Sequence, residues 1–554
     1  MGIFIHLSIS QSVTKEEWAS VYKETLQLVD AFPLAERLKV PIRGIKTMCL
    51  IPTKERDEVS SWDNEKVRTG WFADGDYESL HIAEDYFLPR DLVTDESYDA
   101  DAPDAMFSIL PSYLDYSWDD PRFRRCYDLW DSKTQAEPYH MYLLAIACLI
   151  ESRLGQKACV YGDITRGQCR KAVEIANKHL EKKIDLPDRC DPERLLKRIK
   201  TFPLSEAEIL KVYIDFYLGT TDANFGNEAR KQFSESAFDE YWKERLDDYQ
   251  VTTRGFASAL HDYLLWGFDL EKLARYVTFT DKDGTDHYDD FVKSIMETNL
   301  HVKEKDVRDH LLIDKEDERP YGINTLFAQL AYGGAANRKV DRYIPLESIR
   351  SALISSIGDK CDVNRLIDKY LEEDEEYQKL DHSDFASLSE KDLEKAIAHD
   401  PSAVFTQTMD KRINVIEEIY EEYDISDFED LQYYETGDSI DPDIAEQVGS
   451  SFAFYRSLLK EKNYTDLMDS SPRERCEWLV FQNQGLLLRD KDWDKIFGDI
   501  MENPDSFARY YPCVRMKLTS NNMIYVLRAI ILNDAFYQYA FSLEKEYSKK
   551  KKED

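Results

Sequence analysis

The sequence predicts an α+β protein: a small mixed sheet with helices at the N-terminus, followed by a large, mainly α-helical body. Three observations predict this. Stretches rich in β-branched and aromatic residues concentrate in the first 130 or so positions. Helix-start signatures, a Ser or Thr followed three residues later by an acid or amide, recur along the rest of the chain. Of the 554 residues, 43% are hydrophobic and 32% charged, enough apolar material for packed cores and too much for a disordered chain.

In chain order, Ile3–Ile9 reads as a strand and Thr14-Lys-Glu-Glu17 as a capping box opening a helix through Trp18, Val21, Leu26 and Val29. Ile45–Ile51 and Val67–Phe72 read as further extended segments, the second ending in the turn signal Ala73-Asp-Gly-Asp76. Met141–Leu154 is strongly apolar and predicts a helix buried on most sides. Thr165-Arg-Gly-Gln168 opens a helix to about Lys183, and Ser205-Glu-Ala-Glu208 opens the next. Helical patterns continue through Gly255–Val277. Tyr276–Thr280 with Asp281-Lys-Asp-Gly284 suggests a short hairpin near 275–290, after which helices resume near Asp289. Residues 320–355 alternate helix and small-residue turns, and the acidic run 372–376 reads as a solvated helix end or linker. Ser389-Glu-Lys-Asp392 and Ser471-Pro-Arg-Glu474 start further helices, the latter with proline at the first helical position. A last long helix is expected over about Asn522–Tyr547, fraying into Lys549–Lys552. These patterns suggest three parts: a mixed domain over 1–130, a mainly helical domain over 131–370, and an acidic helical domain over 371–554. No fixed-period repeat is visible, although the many short helices leave an α-solenoid open.

Composition excludes several functions. A formal net charge of −36 argues against direct nucleic-acid binding, because phosphate is repelled. The longest apolar run, Met141–Ile150, is ten residues, about half of what a membrane span needs. The N-terminus lacks the basic region and cleavage site of a signal peptide. Nine cysteines without CxxC spacing read as reduced, buried thiols, not as zinc ligands or disulfides. Together these features predict a cytoplasmic location, with no metal and no cofactor.

Charge patterning carries the main functional signal. Residues 151–200 have a net charge of +5, whereas 417–446 have −13 with no Lys or Arg. In the acidic segment, Tyr420, Phe428, Tyr433 and Tyr434 interleave with Glu421, Glu422, Asp427, Glu429 and Asp430. Aromatic anchors supply interface energy and charge supplies steering, so this pattern suits docking of a basic protein. The plain alternative is a solvated face with tyrosines at the edge of a core.

The second candidate is the loop-to-helix stretch 160–171. Free backbone N–H groups at a helix start attract anions, and Thr165, Arg166, Arg170 and Lys171 would line such a site. Neither GxxxxGK[ST] nor GxGxxG is present, so a capped helix with surface cations explains the same residues. Cys169 would be activated there if exposed. His6-Leu-Ser8 has half of a two-histidine phosphoesterase pattern, and no second half exists. Glu137-Pro-Tyr-His140 has di-iron spacing without a second copy nearby. Asp281–Asp289 resembles a calcium loop, but its glycine is misplaced and a hairpin turn suffices.

The leading expectation is a non-enzymatic interaction or regulatory protein, including an immunity or defence type, that docks a basic partner through the acidic segment. One alternative is an enzyme acting on an anionic, phosphate-bearing small substrate near His140, Asp163, Arg166 and Cys169. Another is a passive α-helical scaffold.

Overall fold

The computed structural model describes residues 3–60, 66–92, 104–114, 116–117, 126–303, 340, 342–378, 430–438, 440, 442–459, 467, 469–483, 485–515 and 521–553. It is an α+β chain. Antiparallel sheets with helices occupy residues 4–162, and a mostly helical body follows. The helix start at Ser389 and most of the alternation expected over 320–355 lie outside the described residues.

Two sheets form. β1 (Phe4–Ile9) is the centre of a three-stranded sheet between β7 (Tyr127–Lys133) and β8 (Ala158–Gly162), antiparallel to both. The second sheet contains β2 (Leu34–Ile42), β3 (Ile45–Pro52), β4 (Arg56–Ser60), β5 (Lys66–Asp76) and β6 (Ile82–Pro89), all pairs antiparallel. Strand alternation explains β1: Ile5, Leu7 and Ile9 are buried on one face while Phe4 and His6 on the other stay partly open. The helix Lys15–Ala31 starts at Thr14, whose hydroxyl accepts the Glu17 N–H while the Glu17 carboxylate accepts the Thr14 N–H.

The turn signal at Ala73–Asp76 is corrected. β5 runs through Asp76, and the chain turns only afterwards, at residues 77–79. The buried Asp76 carboxylate accepts the Glu78 and Ser79 N–H groups and so fixes that later turn. Gly75 serves strand pairing: a Cβ there would lie 2.5 Å from the His81 carbonyl oxygen.

The described residues group into two units. One combines parts of Met1–Ala105, Cys126–Asp185 and Ile413–Asp554; the other combines parts of Met106–Arg125 and Leu186–Arg412. In the first unit, the helix Tyr139–Leu154 is buried at every position from Tyr139 to Glu151 except Tyr142. Each fully buried Leu or Ile there contributes roughly 1.5–3 kcal/mol of transfer free energy. The helix from Thr165 ends at His179, and the Asn177 side chain ties down the following loop through both the N–H and the carbonyl of Ile184.

The C-terminal helices Pro442–Leu458, Pro472–Gln482, Asp490–Glu502, Phe507–Arg515, Asn521–Leu532 and Asp534–Glu553 share a core with Ile45 and Cys49 of β3. The single long helix expected over 522–547 is two helices broken at Asn533, and the second continues to Glu553 without fraying at the lysines. The Asn533 side chain accepts the Phe536 N–H and donates to the Tyr434 carbonyl, which favours a break at that point.

The second unit is helical. Its short helices open on side-chain caps at Asp191, Ser205, Asp222, Ser234 and Thr253. Trp242 lies at the centre of an aromatic cluster with Tyr241, Tyr263, Trp266 and Phe268. The hairpin near 275–290 is a single antiparallel bridge between Thr280 and Asp286 around a turn with Gly284 at φ +83°. Helix Val363–Gln378 carries the acidic run 372–376, with Glu372 and Glu373 exposed.

Candidate functional site

At the start of the helix Arg166–His179, the Thr165 hydroxyl accepts the Gln168 N–H at 3.2 Å, and the Gln168 amide oxygen accepts the Thr165 N–H at 3.1 Å. Arg166 and Arg170 are exposed, and Lys171 is half-buried. Asp163 is exposed, and its carboxylate accepts the Phe4 N–H at 2.9 Å, closing the end of β1. Cys169 and His140 are fully buried. The His140 imidazole bonds the Thr134 hydroxyl through Nδ1 at 2.6 Å, and Thr134 reaches the Ile3 carbonyl. Burial pulls the His140 pKa from 6.5 down to about 4, against an opposing contact from Gln168. His140 is therefore neutral at pH 7 and joins β1, β7 and two helices. The structure places Asp163, Arg166 and Arg170 at the surface and encloses His140 and Cys169.

The basic block 151–200 spends much of its charge locally. Arg153 forks onto Glu24, and Lys157 bonds Glu17. In the other unit, Arg198 and Arg194 meet Asp188, and the buried Arg189 donates to the Phe216 carbonyl. All nine cysteines are free thiols, eight of them buried. Among the described residues, no group of three or more His, Cys, Asp or Glu is arranged to hold a metal ion. At the loop resembling a calcium site, the Asp281 carboxylate is occupied by the Asp283 and Thr285 N–H groups and by His287.

In the acidic segment, Tyr420, Glu421, Glu422, Asp427, Phe428 and Glu429 lie outside the described residues. The visible part begins with a turn of 3-10 helix over Asp430–Tyr433. Leu431 and Tyr434 are buried, and the Tyr434 ring meets Phe536 and Tyr539. Tyr433 stands out with 65% exposure, followed by exposed Glu435 and Asp438. The Asp438 carboxylate accepts the Glu435 N–H at 2.8 Å and fixes the bend. An exposed tyrosine and two carboxylates thus project from a backbone anchored in the C-terminal core.

The structure also assembles a cluster that the sequence reading did not find. The turn between β5 and β6 is gripped by C-terminal helices: Tyr77 donates to Asp490, Arg489 bonds Glu78, and Arg528 donates to the Ser79 and Leu80 carbonyls. At its end, His81 Nδ1 lies 2.5 Å from the Glu137 carboxylate, and its Nε2 lies 2.6 Å from the Tyr525 hydroxyl. Glu137 has di-iron spacing from His140 in the sequence, but the two side chains do not meet. Its carboxylate pairs with His81, and His140 turns to Thr134. No local signal joins His81 to Tyr525, because only tertiary packing makes them neighbours.

Comparisons with protein-family models, with curated proteins and with solved structures find no match.

Proposed function

We propose that the chain is an interaction protein that docks a basic protein partner through its acidic, aromatic segment 417–446, which includes Tyr433–Asp438. The observation that carries this reading is Tyr433: a large aromatic, 65% exposed, on a backbone held by buried neighbours and followed by two exposed carboxylates. A preordered aromatic anchor loses little entropy on binding, and surrounding charge raises the association rate. Local neutralisation of the basic block supports the same reading, because Arg153, Lys157, Arg194 and Arg198 already have intramolecular carboxylates. The acidic surplus of the chain then attracts an external cation-rich surface.

The test is capture of partners from the native host on the immobilised full chain. Wild type is compared with a variant carrying Glu421, Glu422, Asp427 and Glu429 changed to Lys. The proposal expects one stoichiometric basic protein, released by high salt and lost in the variant. Equal retention by both chains would remove the docking segment from the account.

A further inference from the structure

The cluster around His81 has the order of a nucleophile, a base and an orienting group. The Tyr525 hydroxyl faces His81 Nε2 at 2.6 Å, and His81 Nδ1 faces Glu137 at 2.5 Å. A carboxylate on Nδ1 fixes the tautomer in which Nε2 is the proton acceptor. A hydroxyl on that nitrogen is the arrangement that activates an otherwise weak oxygen nucleophile. The Arg528 guanidinium lies 5.9 Å from the centre of the Tyr525 ring and places a positive charge beside it. Solvent reaches the group: the His81 and Glu137 side chains are 18% and 20% exposed, and Tyr525 is half-buried.

We propose that Tyr525 is a catalytic nucleophile acting on neutral aryl esters, whose leaving group departs more easily than the Tyr525 oxygen, with His81 as its base and Glu137 as a positioning residue. A neutral substrate fits because the chain carries a net −36 and Glu137 stands directly behind the base, so an anionic ester is repelled. In the first step the Tyr525 oxygen bonds the acyl carbon and its proton passes to His81 Nε2. The bond from the acyl carbon to the leaving oxygen breaks, and that oxygen takes the proton back from His81. Water, deprotonated by the same nitrogen, then releases the acid and regenerates the phenol. An aryl ester is a reactive acyl carrier, since a phenol of ordinary pKa about 10 leaves more easily than an alcohol.

The probe is p-nitrophenyl acetate with the full chain. Nitrophenol release is followed by absorbance, and acetylation is located by mass spectrometry across all 34 tyrosines. The proposal expects Tyr525 to acquire acetyl ahead of the other tyrosines. Its acetylation rate should fall about a hundredfold in His81→Asn, as for loss of a positioned base. Glu137→Gln keeps a bond to His81 and removes the charge. It should slow the same step and move the midpoint of the rate against pH downwards, which a structural tie would not do. Thermal unfolding of each variant separates loss of chemistry from loss of fold. Acetylation of Tyr525 no faster than of the exposed Tyr433, or unchanged in Glu137→Gln with the fold intact, would overturn the proposal.

Discussion

Tyr433 and Tyr434 are consecutive residues turned in opposite directions: the first is 65% exposed and the second only 9%. Tyr434 packs on Phe536 and Tyr539, and its carbonyl accepts from Asn533. One residue thus anchors the segment while the other presents a ring to solvent. Tyr434→Ala should cost roughly 3–5 kcal/mol, as for other buried aromatic truncations. Tyr433→Ala should change stability by less than about 0.5 kcal/mol. Urea unfolding of the two variants checks the contrast, and only Tyr433→Ala should lose partner binding with the fold unchanged.

Asp74 on β5 is buried with one carboxylate oxygen unpartnered, and Arg37 approaches the other at 3.7 Å. Burial pushes its pKa from 3.8 up to about 6, with Arg37 opposing. The folded state therefore disfavours the ionised form. Stability falls as pH rises from about 4 to 6, and the full penalty applies above that window. Asp74→Asn should stabilise the protein at pH 8 by up to about 3 kcal/mol and have little effect near pH 3.5, as read from denaturant midpoints at each pH.

His287 bonds Asp290 at 2.8 Å and Asp281 at 3.2 Å, and these contacts hold its pKa above 6.5. The pairing stabilises the fold fully below the unfolded value, and that contribution is lost as pH rises through the folded pKa. Titration of the His287 ring by NMR should give a midpoint above 6.5 that falls in Asp290→Asn. An unchanged midpoint would remove Asp290 as the main cause.

The Leu50 N–H donates to the Leu488 carbonyl at 2.9 Å, and Arg43 forks onto Asp494. The second sheet is thus completed by a segment more than four hundred positions later in the chain. A chain ending at residue 412 should lose hydrogen-exchange protection at Leu50 and at neighbouring β3 amides. Full protection of those amides in the shortened chain would show that the sheet holds without the C-terminal helices.

Local chemistry was readable in advance. The boxes at Thr14, Thr165, Ser205 and Ser471 all open helices, because a cap is decided within four residues. The buried helix over Met141–Leu154 was also legible, since apolar side chains all round leave no solvent face. Strand β7 was missed because Asp128 and Asp131 interrupt its apolar pattern on the open face. Strand β8 was missed because five residues carry too little periodicity. The break at Asn533 depends on a carbonyl from Tyr434 that no nearby sequence announces. The same holds for His81, whose partners come from the turn after β7 and from the helix Asn521–Leu532.

The central claim is that partner docking falls on the acidic segment. Hydrogen exchange of the full chain, alone and with its captured partner, tests it most directly. The account predicts new protection within residues 417–446, with amides at Arg166–Lys171 unchanged. Protection confined to Arg166–Lys171, or absent from 417–446 in a stable complex, would contradict it.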